Sequence, residues 1–271
     1  MFVPRLISGI VLVIIIAAAI ILGNDVLYLL SAVVALIGLY ELYKAYNIHK
    51  NMLGYAGLVG SILYILAVRL QTVQGVEEAA MAALIIGFLI IMFVYVLTFP
   101  KFKADQAAFA VFGLVYLPVL MMCIYQARML PDGLYVSPLI FLAAWGNDTC
   151  AYCVGRLIGK HQMTPILSPH KTIEGGIGGV VGAIILGLIY GYCMQDYMGS
   201  LWNPTVSCGI ICGVGALIAI VGDLAASAVK RNTGIKDYGK LIPGHGGIMD
   251  RFDSILFTAP VVYFMAFYFG L

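Results

Sequence analysis

Apolar runs of about twenty residues, divided by short polar connections, recur along the whole chain. A helix needs roughly 20 mainly apolar residues to cross a bilayer core. Nine segments fit: 5 to 22, 26 to 44, 53 to 70, 79 to 99, 106 to 128, 136 to 158, 174 to 194, 206 to 230 and 252 to 270. Gly54, Gly57 and Gly60 dilute the third, and Asn147 and Asp148 interrupt the sixth. The first follows Arg5 in the manner of a signal sequence, but its apolar run is long and leads to no small-residue cleavage site. It is expected to remain as an anchor.

Composition agrees with this pattern. With 62% hydrophobic and 10% charged residues and a mean hydropathy of +1.02, the chain has too few polar side chains to cover a soluble domain of 271 residues. The expected fold is an all-α polytopic integral membrane protein. A net charge of +2 says little by itself, and no nucleic-acid partner is expected. Cys123, Cys150, Cys153, Cys193, Cys208 and Cys212 lie mostly in apolar stretches and read as small hydrophobes. Cys150-x-x-Cys153 lacks the second ligand pair of a metal site.

Orientation follows from the basic residues. With the N-terminus in the cytoplasm, thirteen of the fifteen Lys and Arg fall on the inner side, and Arg69 and Arg128 alone fall outside. One missed span would invert every later loop, so this bias supports about nine transmembrane helices with the C-terminus outside. A multi-pass protein of the plasma (inner) membrane is expected.

The chain also divides by character. Residues 1–130 read as scaffold helices, whereas 131–271 hold the chemistry. Between Ser227 and Asp253 five basic residues, one His and three Asp crowd together. Ionisable groups at a membrane are costly, so such a cluster marks a site. Asp223, Ser227, Lys230 and Arg231 share one helix face at i, i+4, i+7 and i+8, and Asp148, Tyr152 and Arg156 share another. These faces predict a polar funnel, open to the cytoplasm, among the later helices. Gly175-Gly176 and Gly178-Gly179 predict close helix packing. Carboxylates suit Mg²⁺, while Lys and Arg neutralise phosphate oxygens, so the set points to metal-assisted phosphoryl or nucleotidyl transfer. No G-x-x-x-x-G-K-S/T loop supports an ATPase.

The stretch S-x-V-K-R-x₄-K-D-x-G-x₂-I-P-x-H-G-G-I-x-D-R-F-D, residues 227–253, resembles the signature of the phosphatidate cytidylyltransferases, or CDP-diacylglycerol synthases, without departure. Asn147-Asp148-x₃-Tyr152, Gly155-Arg156 and Ser168-Pro-x-Lys171-Thr172-x-Glu174-Gly175 resemble other polar stretches of that family. The resemblance implies CTP and phosphatidic acid as substrates, CDP-diacylglycerol and pyrophosphate as products, and a role in phospholipid biosynthesis.

By the same resemblance Asp223 and Asp250 hold Mg²⁺ or Mn²⁺, with Asp253 and Asp148 as further ligands and a monovalent cation such as K⁺ as a second ion. Lys230, Arg231, Lys236 and Arg251 grip phosphates, and Ser168, Lys171 and Thr172 line the funnel. Ser227, Asp237 and Asn147 complete the substrate contacts, and His245 is an acid, a base or a phosphate contact. Membrane lipids and a second copy of the chain are the expected partners.

Two rivals remain. A transporter for an anionic metabolite predicts charge at the bilayer midplane and repeated halves, and a related enzyme would act on another lipid phosphate. A CDP-alcohol phosphotransferase is disfavoured, because Asp132-Gly133 runs into Leu134-Tyr135-Val136 rather than D-G-x₂-A-R.

Overall fold

The computed structural model describes residues 2–242 and 246–270. Most of them are helical. In chain order the elements are α1 (Phe2–Leu22), α2 (Asn24–Ala45), α3 (Met52–Gln74), α4 (Ala79–Leu97), α5 (Ala104–Leu114), α6 (Leu120–Met129), α7 (Gly133–Val136), α8 (Pro138–Ile158), β1 (Gln162–Thr164), β2 (Ser168–Thr172), α9 (Ile173–Met194), α10 (Pro204–Thr233) and α11 (Met249–Phe269). A π-helical turn at Val115–Val119, which contains Pro118, joins α5 to α6.

The chain is an all-α membrane protein, and among the described residues seven helical segments are long and apolar enough to cross a bilayer. These are α2, α3, α4, the joined α5 and α6, α9, α10 and α11. The other two expected segments are helical as well: α1, whose described apolar stretch is Ile7–Leu22, and α8, which carries Asn147, Asp148 and Arg156 and falls short on those criteria. Asn147 and Asp148 interrupt the apolar run of α8, as expected, but not its helix, which continues through both. A helix satisfies its own backbone, so polar side chains need not end it.

Two compact units interleave along the chain. The first comprises Met1–Ala19, Asn24–Tyr125 and Thr233–Arg251. Here α3 begins with Asn51, whose side chain accepts from Gly54 N at 3.0 Å, and ends at Gly75 in the left-handed region at φ 71°. Gly60 on α3 faces Gly87 on α4 so closely that a Cβ would lie 2.9 Å from the opposing Cα. Small residues let membrane helices approach in this way, where dispersion contacts replace the missing hydrophobic drive. Tyr43, fully buried, donates to Ala110 O at 2.6 Å. Arg69 pairs with Asp25 and donates to Tyr125 Oη at 3.0 Å, which gives one of the two basic residues outside the inner-side pattern a structural task.

The second unit comprises Ile20–Gly23, Gln126–Asn232 and Phe252–Leu271. Arg128, the other exception, donates from Nε to Ile20 O at 2.8 Å. The α8 and α9 helices pack through their small residues. A Cβ on Gly178 would lie 2.6 Å from Val154, and one on Gly182 would lie 2.5 Å from Cys150 Sγ. The glycine spacing thus serves close packing as expected, and Cys150 is part of it. All six cysteines are free, with Cys123, Cys208 and Cys212 buried. The antiparallel hairpin β1–β2 departs from the all-helical expectation, pairing Gln162 with Thr172 and Thr164 with Ser168.

Candidate active site

Within the second unit, α8, the hairpin, the start of α9 and the end of α10 enclose a cavity of about 430 Å³. Its polar lining is Asn147, Asp148, Tyr152, Arg156, His170, Lys171, Thr172 and Asp223. Each side chain arrives by a definable local cause. Asn147, Asp148, Ala151, Tyr152 and Gly155 recur on one face of α8 at helical spacing. Arg156 donates to Tyr152 Oη at 3.1 Å, one turn away. Thr172 ends β2 and caps α9, accepting from Gly175 N at 3.1 Å. Glu174 anchors the hairpin's other end by accepting from Lys160 N at 3.1 Å and His161 N at 3.2 Å, with His161 Nδ1 at 2.6 Å.

The central interaction is the ion pair between Lys171 Nζ and Asp223 Oδ2. Their side chains are 28% and 27% exposed, so water reaches both without screening them fully. Asn147 is 1% exposed, its Oδ1 has no hydrogen-bond partner among the described residues, and its Nδ2 lies 3.5 Å from Asp148 Oδ1. A buried polar atom left unmatched calls for a partner. Gly175, Gly176 and Gly155 keep this wall low, since a Cβ on Gly175 would meet Thr172 Oγ1 and Ala151 O, both at 2.8 Å.

Five expected site residues thus meet in one cavity: Asn147, Asp148, Lys171, Thr172 and Asp223. Others stand beside it. Asp253 feels the charges of Asp223, Asp148 and Lys230. Arg231 donates to Leu167 O at 3.4 Å, which ties α10 to the hairpin turn. Ser168 opposes Thr164 at the start of β2, outside the lining, and Ser227 lies one turn beyond Asp223. His170 and Met163 join the cavity with no sequence signal beyond their place in or near the Ser-Pro-x-Lys-Thr stretch.

The remaining signature residues belong to the first unit. Lys236 and Asp237 are exposed in the connection before α11. Asp250 sits in the first turn of α11, where its Oδ2 accepts from Tyr238 N at 2.9 Å and Gly247 N at 3.0 Å. Arg251 N donates to Ile248 O at 3.0 Å. His245 lies outside the described residues. A residue absent from the expected site, Glu41 of α2, contacts the same connection through Ile248 N and Met249 N.

The donor set can be tested against a divalent ion. Among the described residues no three His, Cys, Asp or Glu side chains converge closely enough to form a cage. Mg²⁺ does not require one, because it is commonly held by one or two carboxylates with substrate phosphates and water completing the octahedron. Asp223, with Asp148 and Asp253 in electrostatic range, fits that mode.

Comparison with known proteins shows the family of the chain. Over 187 residues the chain is 37% identical to the phosphatidate cytidylyltransferases of Staphylococcus saprophyticus and Staphylococcus haemolyticus, covering 69% of this chain and 69% of each relative. It is 36% identical over 190 residues to the Staphylococcus aureus protein of that name, again across 69% of both. The Cytidylyltransferase family model matches residues 3–269, and the chain belongs to that family.

Proposed function

We propose that the protein is a phosphatidate cytidylyltransferase of the plasma membrane, transferring CMP from CTP to phosphatidic acid to give CDP-diacylglycerol and pyrophosphate. The observation that carries this reading is the cavity in which Lys171 and Asp223 face Asn147 and Asp148. Its volume falls within the roughly 300–1,000 Å³ of small-molecule sites. A cation suited to phosphate beside carboxylates suited to a divalent ion supports nucleotidyl transfer.

A phosphatidate oxygen attacks the α-phosphorus of CTP as the bond to pyrophosphate breaks. Phosphatidate is already an anion, so a general base adds little. Positioning and charge neutralisation carry most of the catalysis in such transfers. Lys171 leaves Asp223 to meet a phosphate, and Asn147 offers its unmatched amide to the incoming polar group. Asp223, with Asp148 or Asp253, would hold Mg²⁺, which when bound offsets charge on the departing pyrophosphate. Arg231 and Lys230 add positive charge at the end of α10.

The inner-side bias of Lys and Arg supports a multi-pass arrangement with the cavity facing the cytoplasm. The test is pyrophosphate release by purified protein given CTP and phosphatidic acid, with each omitted in turn. Release should require both. Turnover of an isoprenoid phosphate in preference to phosphatidic acid would instead assign a related enzyme.

A further inference from the structure

The first unit holds a carboxylate that the reaction scheme leaves unused. Glu41 lies within the membrane segment α2 and is 6% exposed. An acid so placed is costly unless its oxygens are matched. Both are matched by the connection that precedes α11, more than two hundred residues later. Oε1 accepts from Ile248 N at 3.2 Å, and Oε2 accepts from Met249 N at 2.9 Å. Met249 opens α11. The first turn of a helix has N–H groups with no partner inside the helix. Glu41 therefore caps α11 from another helix, and its negative charge sits at the positive end of the α11 dipole.

The connection is shaped around this carboxylate. A Cβ on Gly247 would lie 2.5 Å from both Glu41 oxygens, and one on Gly239 would overlap Oε1. Asp250 holds the same strand of chain from the other side through Tyr238 N and Gly247 N. Two carboxylates thus hold four backbone donors, the consecutive Gly247, Ile248 and Met249 and the earlier Tyr238, and the two glycines are the places where a side chain would push them off. Asp250 and Arg251 follow directly in the first turn of α11.

We infer that Glu41 is a positioning residue of the transfer reaction: by holding Ile248 N and Met249 N it caps α11 and fixes the first turn that carries Asp250 and Arg251. This rests on the activity proposed above. Glu41→Gln keeps size and one acceptor oxygen but turns an N–H donor toward a backbone N–H. Hydrogen exchange at Ile248 and Met249 should then accelerate about 10- to 150-fold, the range for losing a hydrogen bond to a charged acceptor. In the same protein kcat should fall by at least about tenfold while KM for CTP and for phosphatidic acid stays within about threefold. Glu41→Asp, which keeps the charge but shortens the reach, should fall between wild type and Gln on both readouts, and serves if Gln folds poorly.

Wild-type kcat and exchange in Glu41→Gln would overturn the inference. So would a rise in KM at constant kcat, which would make Glu41 a substrate contact, or a loss only of folded protein with kcat per folded molecule unchanged. Wild-type protein that forms no CDP-diacylglycerol, yet shows the exchange difference, would instead refute the assigned reaction and leave the loop contact standing.

Discussion

Removing the charge of Lys171 separates its two tasks, balancing Asp223 and receiving a phosphate. Lys171→Met keeps the aliphatic stem and deletes the ammonium. Breaking a fully buried ion pair costs about 3–5 kcal/mol, whereas an exposed pair is worth about 0–1 kcal/mol. With the partners 28% and 27% exposed, the loss of stability should lie between, at about 1–3 kcal/mol. The catalytic cost is separate. A hydrogen bond from a charged group to phosphate is worth about 1.5–3 kcal/mol, which at about 1.4 kcal/mol per tenfold is roughly a 10- to 150-fold rise in KM for one substrate. The decisive variant is the exchange Lys171→Asp with Asp223→Lys. It restores opposite charges and should recover much of the thermal stability in detergent, but it puts the cation on α10 and the carboxylate on the hairpin, so pyrophosphate release should remain absent. Recovery of activity by the exchanged pair, or an unchanged KM for both CTP and phosphatidic acid in Lys171→Met, would show that the pair only holds β2 to α10.

Asp223→Asn should abolish turnover with the protein still folded, and EDTA should stop the wild-type enzyme until Mg²⁺ is returned; full activity in either condition removes the metal from the scheme. Gly179→Val should destabilise the second unit by about 1–3 kcal/mol, because a Cβ there would lie 2.9 Å from Ala151 Cβ and overlap Asn147 Oδ1; an unchanged melting temperature would contradict the close α8–α9 packing. In a cysteine-free background, Lys240→Cys should react only from the cytoplasm and Val76→Cys only from outside, and labelling of both from one face would overturn the proposed topology.

Much of this was legible in the sequence because a membrane span is a long, strong signal. The nine apolar segments all became helices, and the helical spacing of Asp148, Tyr152 and Arg156 placed all three on the cavity wall. Other features are tertiary. No spacing rule pairs Lys171 with Asp223, which lie on a strand and a distant helix. The β1–β2 hairpin escaped notice because its strands of three and five residues are too short for an alternating pattern to show. Glu41 was hidden for a different reason. A lone acid near the end of an apolar run reads as a boundary residue, and only its two backbone donors reveal why it is buried. Yet an acid inside a predicted span was itself a signal, which the division into scaffold and catalytic halves obscured.

The hairpin also acts as a depth gauge for the bilayer. A sheet of two strands has two open edges, and each bare N–H or C=O along them would cost several kcal/mol in hydrocarbon. The strands 162–164 and 168–172 are therefore excluded from the lipid-facing hydrocarbon, and their open edges need water or protein partners. Lys171 is fastened to the second of these strands. An ammonium fastened there is kept out of the lipid-facing hydrocarbon with its strand, so a phosphate can meet it without crossing the acyl-chain layer.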